Sequence, residues 1–196
     1  MTGFQFILFL MASGIFYIFF KEILSEERET QTKNSEEESA TSKKSQRVDE
    51  LIREGEEFLN KKEFQKAEKA FVSASIIEPN SPDILRRLGV AYLGQEKFGK
   101  AKELYQNLIE IDPKDDLAHA SLANTLHKLG EDEEAIKHHK ISIELDGDYP
   151  PHYFNYANTL YDLGKFDEAL KLYEKALELD PSLEEAKNMI EKLKKS

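Results

Sequence analysis

The sequence predicts an all-α protein: a solenoid of four stacked helix pairs with a C-terminal capping helix, preceded by one transmembrane helix and a flexible linker. Three observations lead there. A register of 34 residues repeats four times without a gap, beginning at Val48, Pro82, Asp116 and Pro150. A run of 17 uncharged residues, six of them Phe, extends from Phe4 to Phe20. Between the two lies Ser25 to Arg47, a polar stretch with no aromatic residue and one Ala.

Composition narrows the function before any motif does. Forty per cent apolar residues with only nine Gly and six Pro in 196 suit a helical fold rather than a disordered chain. The absence of Cys removes disulfides, thiolate nucleophiles and iron-sulfur ligation, and leaves the redox compartment open. The formal charge is -11, and residues 1–47 hold six basic and seven acidic side chains, so about -10 belongs to residues 48–196. Nucleic-acid binding needs clustered Lys and Arg, and this balance argues against it.

The first element is residues 1–24, read as a membrane anchor. A helix over Phe4 to Phe20 covers ~26 Å of hydrocarbon at ~1.5 Å per residue. Lys21 can snorkel its amine to the interface while Ile23 and Leu24 extend the apolar surface. A cleaved signal peptide is the competing reading, but Met1 to Gln5 contain no Lys or Arg and no small-x-small site follows the run. A buried core helix would need an apolar groove to receive it. Lys21, Arg28 and Lys33 lie just past the apolar run, which places the repeats in the cytoplasm by the positive-inside rule. The alternative is an extracytoplasmic or periplasmic domain. Residues 25–47 cannot bury enough surface to offset their ordering entropy and read as a disordered tether, letting the repeats sit ~25–30 Å from the anchor.

The repeats follow at 48–81, 82–115, 116–149 and 150–183, with 184–196 as the cap. In each block the eighth position is small (Gly55, Gly89, Ala123, Ala157) and the twentieth is Ala67, Ala101, Ala135 or Ala169. The twenty-fourth is Phe71, Tyr105, His139 or Tyr173, and the thirty-second is Pro79, Pro113, Gly147 or Pro181. Two amphipathic helices per block explain the pattern, at positions of roughly 1–14 and 17–31. The small residues let two backbones approach, and the aromatic fills the space beside them. Pro79, Pro113 and Pro181 stop second helices, whereas Pro82, Pro150 and Pro151 stand where new ones begin. Ser182 to Lys194 gives a last helix with Leu183, Ala186, Met189, Ile190 and Leu193 inward and Lys and Glu outward.

With its 34-residue period and its small, aromatic and proline positions, the chain resembles the tetratricopeptide repeat family over about residues 48–181. Block four looks nearest to the family pattern; block one has Glu54 before Gly55 where a large residue is usual. Block three has His139 and Gly147 where an aromatic and a proline are usual, marking a looser joint. The resemblance implies a right-handed superhelix whose first helices line a concave, peptide-binding groove. By the same resemblance the groove-facing residues are Arg86, Val90, Leu93, Asn124, His127, Lys128, Phe154, Asn158 and Tyr161. Asn124 and Asn158 share the ninth block position and could clamp the backbone of an extended peptide, with Leu93, Phe154 and Tyr161 taking its side chains. The family's carboxylate clamp for chaperone tails lacks its residues: block one offers Ile52 and Glu56, and block two Arg86 but Val90. Arg86 and Arg87 otherwise read as a solvated helix face.

The five histidines do not form a ligand set, since His138 and His139 point to different faces and His119 and His127 are eight apart. His139 belongs in the core at the aromatic position and His138 in solvent. No phosphate loop or nucleophile constellation is present, and acidic pairs such as Asp115 and Asp116 fall at turns. The expectation is therefore a non-enzymatic adaptor without metal or cofactor. It is anchored through residues 4–20 and binds peptide or helix segments of other proteins, in assembly of a membrane or envelope complex. The alternative is a self-associating scaffold, or a regulatory subunit of a membrane complex, with no transient peptide ligand.

Overall fold

The computed structural model describes residue 21 and residues 39–195 and divides into two units, Met1–Asp49 and Glu50–Ser196. The expected anchor over residues 4–20 lies outside the described residues; among the described residues no helix is long and apolar enough to cross a membrane. In the first unit, residues 39–49 are helical. Residues 39–47, expected within the disordered polar linker 25–47, are therefore helical, and the rest of that linker lies outside the described residues. Ala40, Lys43, Lys44, Gln46 and Arg47 are good helix formers, and the exposed helix they make needs no core. Low hydrophobicity excludes a core, not a helix.

The second unit is a stack of nine helices among the described residues. The first members of the pairs are α1 (50–60), α3 (Pro82–Gly94), α5 (Asp116–Lys128) and α7 (Pro150–Asp162). The second members are α2 (Phe64–Ile77), α4 (Phe98–Ile111), α6 (Asp132–Leu145) and α8 (Phe166–Leu179), and α9 (Glu184–Lys195) follows. Each helix from α2 onward packs on the next, and α5 also touches α7. The fold is the all-α solenoid that the repeat predicts.

Pairing follows from the small residues. Ala67, Ala101, Ala135 and Ala169 are all fully buried, as are Phe71, His139 and Tyr173, with Tyr105 at 1% exposure. A Cβ added at Gly55 would lie 2.5 Å from the Phe71 ring, and one at Gly89 would collide with the Tyr105 hydroxyl. The first helix of these pairs therefore lies directly on the aromatic of the second. Gly94, which the sequence pattern did not single out, has the same relation to Phe64.

The turn inside each pair is one motif used four times. Lys62, Glu96, Gly130 and Gly164 adopt φ of 58°, 57°, 77° and 74°. The next amide then donates back five residues: Glu63 to Phe58 at 2.8 Å, and Lys97 to Tyr92, Glu131 to Leu126 and Lys165 to Leu160 at 2.9 Å. This left-handed cap satisfies the last carbonyls of the helix. Between pairs, Asp112, Asp146 and Asp180 accept the amides of Lys114, Asp148 and Ser182 at 2.9, 3.0 and 2.9 Å. These local bonds form the turn where the helix must stop.

The contact of α6 with α7 is the thinnest of the sequential contacts from α2 to α9. It is also polar. His139 Nε2 lies 2.9 Å from Thr159 Oγ1 and the His139 ring stacks on Tyr156 at 5.2 Å, while the buried Ser142 hydroxyl is satisfied within α6 by the His139 carbonyl. His138 is not in solvent as expected but half-buried, stacked on His119 with their Nδ1 atoms 2.9 Å apart. The neighbouring helix reaches it, which periodicity within α6 cannot reveal.

Candidate functional site

The carboxyl-terminal halves of α3, α5 and α7 converge on one cavity of about 500 Å³. Five residues expected in a groove line it: Leu93, Asn124, His127, Lys128 and Asn158. Glu96, Phe98, Asn155, Thr159 and Asp162 complete the wall. Asn155, Asn158 and Asp162 follow one another at three and four residues along α7, with Thr159 beside Asn158, so the helical period carried outward from Asn158 leads to its neighbours. Glu96 enters from the turn after α3 and Phe98 from the start of α4, which helix-face reasoning omits.

The other four expected residues go elsewhere. Arg86 is committed to an ion pair with Asp115, Nη1 to Oδ2 at 2.6 Å, while the other oxygen of Asp115 caps α5 through the Ala118 amide at 2.9 Å. Its neighbour Arg87 is likewise paired, with Glu56 and Asp83, so the two are not simply a solvated face. Val90 is 46% exposed but does not line the cavity. Phe154 packs against Tyr173 at 5.6 Å between ring centres, and Tyr161 lies between Phe166 at 5.4 Å and the Lys192 amine at 4.8 Å. Both belong to the C-terminal core cluster, because the second helix and α9 cover the face that an isolated α7 would present.

Within the cavity the polar groups are not equivalent. The Tyr173 hydroxyl donates to Asn158 Oδ1 at 2.7 Å, which commits the amide oxygen and leaves its NH2 as the group available to a ligand. Burial raises the Tyr173 hydroxyl above the usual phenol range, so it stays a donor. Asn124 has no such anchor, since His139 stands where Tyr173 stands one repeat later and turns to Thr159 instead. His127 links three helices, with Nδ1 at 2.6 Å from Asp132 Oδ1 and Nε2 at 3.2 Å from Asp162 Oδ2. Charged walls and amides around a partly apolar cavity are equipment for recognition. Among the described residues no group of three His, Asp or Glu side chains is arranged to hold a metal.

A second cavity of about 440 Å³ lies at the turns of the first two pairs, between Lys62 and Lys97, and contains none of the expected residues. Two of its lining residues, Lys97 and Gln95, donate to Glu68 beside it at 2.7 and 2.8 Å. Burial pushes the Glu68 carboxyl up, but these two bonds outweigh it and hold it below the usual range.

Models of the tetratricopeptide repeat match residues 58–123, 92–140 and 153–183, together more than half of the chain. By sequence the chain matches no curated protein. Its fold is shared with TTC0263, a thermophilic tetratricopeptide repeat protein of Thermus thermophilus, at 19% identity and a TM-score of 0.69 over 74% of this chain and 80% of that one. YrrB, a repeat protein with an unusual peptide-binding site, superposes with a TM-score of 0.57 at 21% identity, over 68% and 69% of the two chains. The first repeat domain of Spaghetti (RPAP3), bound to the HSP90 peptide SRMEEVD, superposes with a TM-score of 0.55 at 25% identity, over 60% and 94%.

Proposed function

The chain belongs to the tetratricopeptide repeat family, and from that premise we propose that it is a protein-protein interaction adaptor, without catalytic activity of its own, that receives a partner segment between its first helices. The cavity carries this reading: α3, α5 and α7, with the turn after α3 and the start of α4, present amides, one Lys, two carboxylates and the apolar surface of Leu93 and Phe98 around a single space. YrrB and Spaghetti, with the same fold, are peptide-binding proteins. On this reading the pairs wind as a right-handed superhelix with the cavity on its inner face. Residues 4–20 hold it at a membrane with the repeats on the cytoplasmic side, near the complex whose assembly it serves. Support for the anchor is the uncharged, Phe-rich composition of that segment.

Affinity capture from a detergent extract of the native cells, using the full chain beside the Asn124→Ala, Asn158→Ala double variant, tests the groove. Partners lost only in the variant support the adaptor. Identical catches, or only further copies of the chain, favour the self-associating scaffold. Alkaline carbonate washing of membranes tests the anchor: the chain stays in the pellet if residues 4–20 span the bilayer and is released if they do not.

A further inference from the structure

Gln65, Lys69, Val72 and Ile76 follow one another at four, three and four residues along α2 and form one exposed stripe opposite its buried Ala67, Ala70, Phe71 and Ala74. The repeat register places the same stripe on α4, α6 and α8, and every position of it is exposed there too. Its acids are Glu103 and Glu110 on α4 and Glu133 and Glu144 on α6. On α8 they are Asp167, Glu174 and Glu178, whereas α2 has none. Val72 is 36% exposed and Ile76 75%, and Ile76 holds the position that is Glu in the other three helices. One exposed aliphatic residue is ordinary, but two on one stripe whose three counterparts are acidic mark a surface of a different kind. Its charge has one sign as well. Lys69 lies on the stripe, Lys61 and Lys62 stand exposed in the turn before it, and none of the three forms an ion pair among the described residues. Glu63 beside them is tied to Lys66.

We infer that this stripe of α2 rests on the surface of an anionic bilayer, with Val72 and Ile76 among the headgroups and the lysines on the lipid phosphates. The inference rests on the membrane-anchor reading above and adds which side of the repeats meets the membrane. Aliphatic residues beside lysines on one helix face suit such a surface, since the former leave water while the amines meet phosphate. Contact this small suffices where another segment already holds the chain at the bilayer, as residues 4–20 do on that reading. A second copy of the chain is the poorer occupant. Two aliphatic side chains fall far short of the ~800 Å² per partner of a standard interface, and a two-fold pairing of the stripe brings no acid to its lysines. In a chain of net charge -11, the acidic stripes of α4, α6 and α8 are repelled by the lipid phosphates that attract this one. The cavity lined from α3, α5 and α7 takes no residue from α2 and stays open to a partner.

The chain has no Cys, so one introduced thiol carries a unique label. The full chain with Ser73→Cys, beside the stripe, or Asn107→Cys, its exposed counterpart in α4, is labelled with the fluorophore NBD. Each is reconstituted into vesicles of phosphatidylcholine and phosphatidylglycerol, with and without lipid carrying a nitroxide near its headgroup. The nitroxide should quench the Ser73→Cys label about twofold or more and leave the Asn107→Cys label within about a tenth of its intensity. Val72→Gln with Ile76→Glu, which gives α2 the residues of α4 at exposed positions, should abolish the quenching. Omitting phosphatidylglycerol should weaken it, and indifference to that lipid overturns the part given to the lysines. Equal intensities for the two labels, or quenching that the double variant keeps, overturn the inference while the chain still floats with the vesicles. So does a Ser73→Cys label that is unquenched yet shifts to the blue as protein is added at fixed lipid, which would assign the stripe to a second copy. If the chain does not float with the vesicles, or alkaline carbonate releases it, the anchor reading falls and this inference with it.

Discussion

His139 occupies a position that holds an aromatic ring in the other three repeats, and burial there pushes its imidazole down to about 3. Desolvation is the main cause, with His127, His152 and His138 adding to it. The folded pKa is depressed, so the unfolded chain binds the extra proton first. The stabilising contribution is complete above the unfolded value of about 6.5 and is lost as pH falls toward 3, amounting to about 2 kcal/mol by pH 5. Chemical denaturation at pH 7.5 and pH 5 should show that loss, and His139→Tyr should abolish most of it. Tyr is admissible because Ala157 and Tyr173 pair in repeat four as Ala123 and His139 do in repeat three. The same variant should direct a hydroxyl toward Asn124, as Tyr173 directs one toward Asn158. Tyr173→Phe removes that latch and should cost about 1 kcal/mol. Its distinctive consequence is at the site: partner affinity falls while the cavity wall keeps every other group, read by calorimetric titration of a captured partner.

At the scale of the helix pair, four turns with one geometry carry two different residue types. Gly130 and Gly164 accept a positive φ freely, whereas Lys62 and Glu96 hold the same conformation against the steric cost of a Cβ. Lys62→Gly should therefore raise stability by about 0.5–1 kcal/mol, the relief exceeding the added entropy of the unfolded glycine. Gly130→Ala should lower it by about 1 kcal/mol. Urea midpoints of the two variants against the parent measure both, and equal shifts of the same sign would contradict the account. These turns were visible in the sequence as breaks between amphipathic runs. Their shared handedness was not, because Lys and Glu do not advertise a left-handed residue as Gly does.

Across the whole stack, stability is shared between neighbours, since each pair covers only the next. Ala186 and Ile190 of α9 are buried, and Met189 and Leu193 pack on the cluster around Tyr156 and Leu160. Deleting residues 184–196 should cost roughly 3–6 kcal/mol. The loss should be local: amide hydrogen exchange should accelerate in α7 and α8 well before α2 to α4. The thin, polar contact of α6 with α7 gives the boundary at which that opening stops.

Period, pairing and the cores of the pairs were determined by the sequence alone. Small residues opposite aromatics, recurring every 34 positions, admit one way of burying both, and the structure uses it at Gly55 with Phe71 and at Gly89 with Tyr105. Block three showed its irregularity at His139 and Gly147, and the joint after it is the thin one. The membership of the cavity was decided by the tertiary structure. Arg86 goes to an ion pair and Phe154 and Tyr161 to a core because helices from other parts of the chain reach them first. Asp162, Glu96 and Asn155 join the wall because separate helix ends converge there. A helical period reports which residues share a face of one helix; what that face meets is set by neighbours tens of residues away, and their distances are absent from any local pattern.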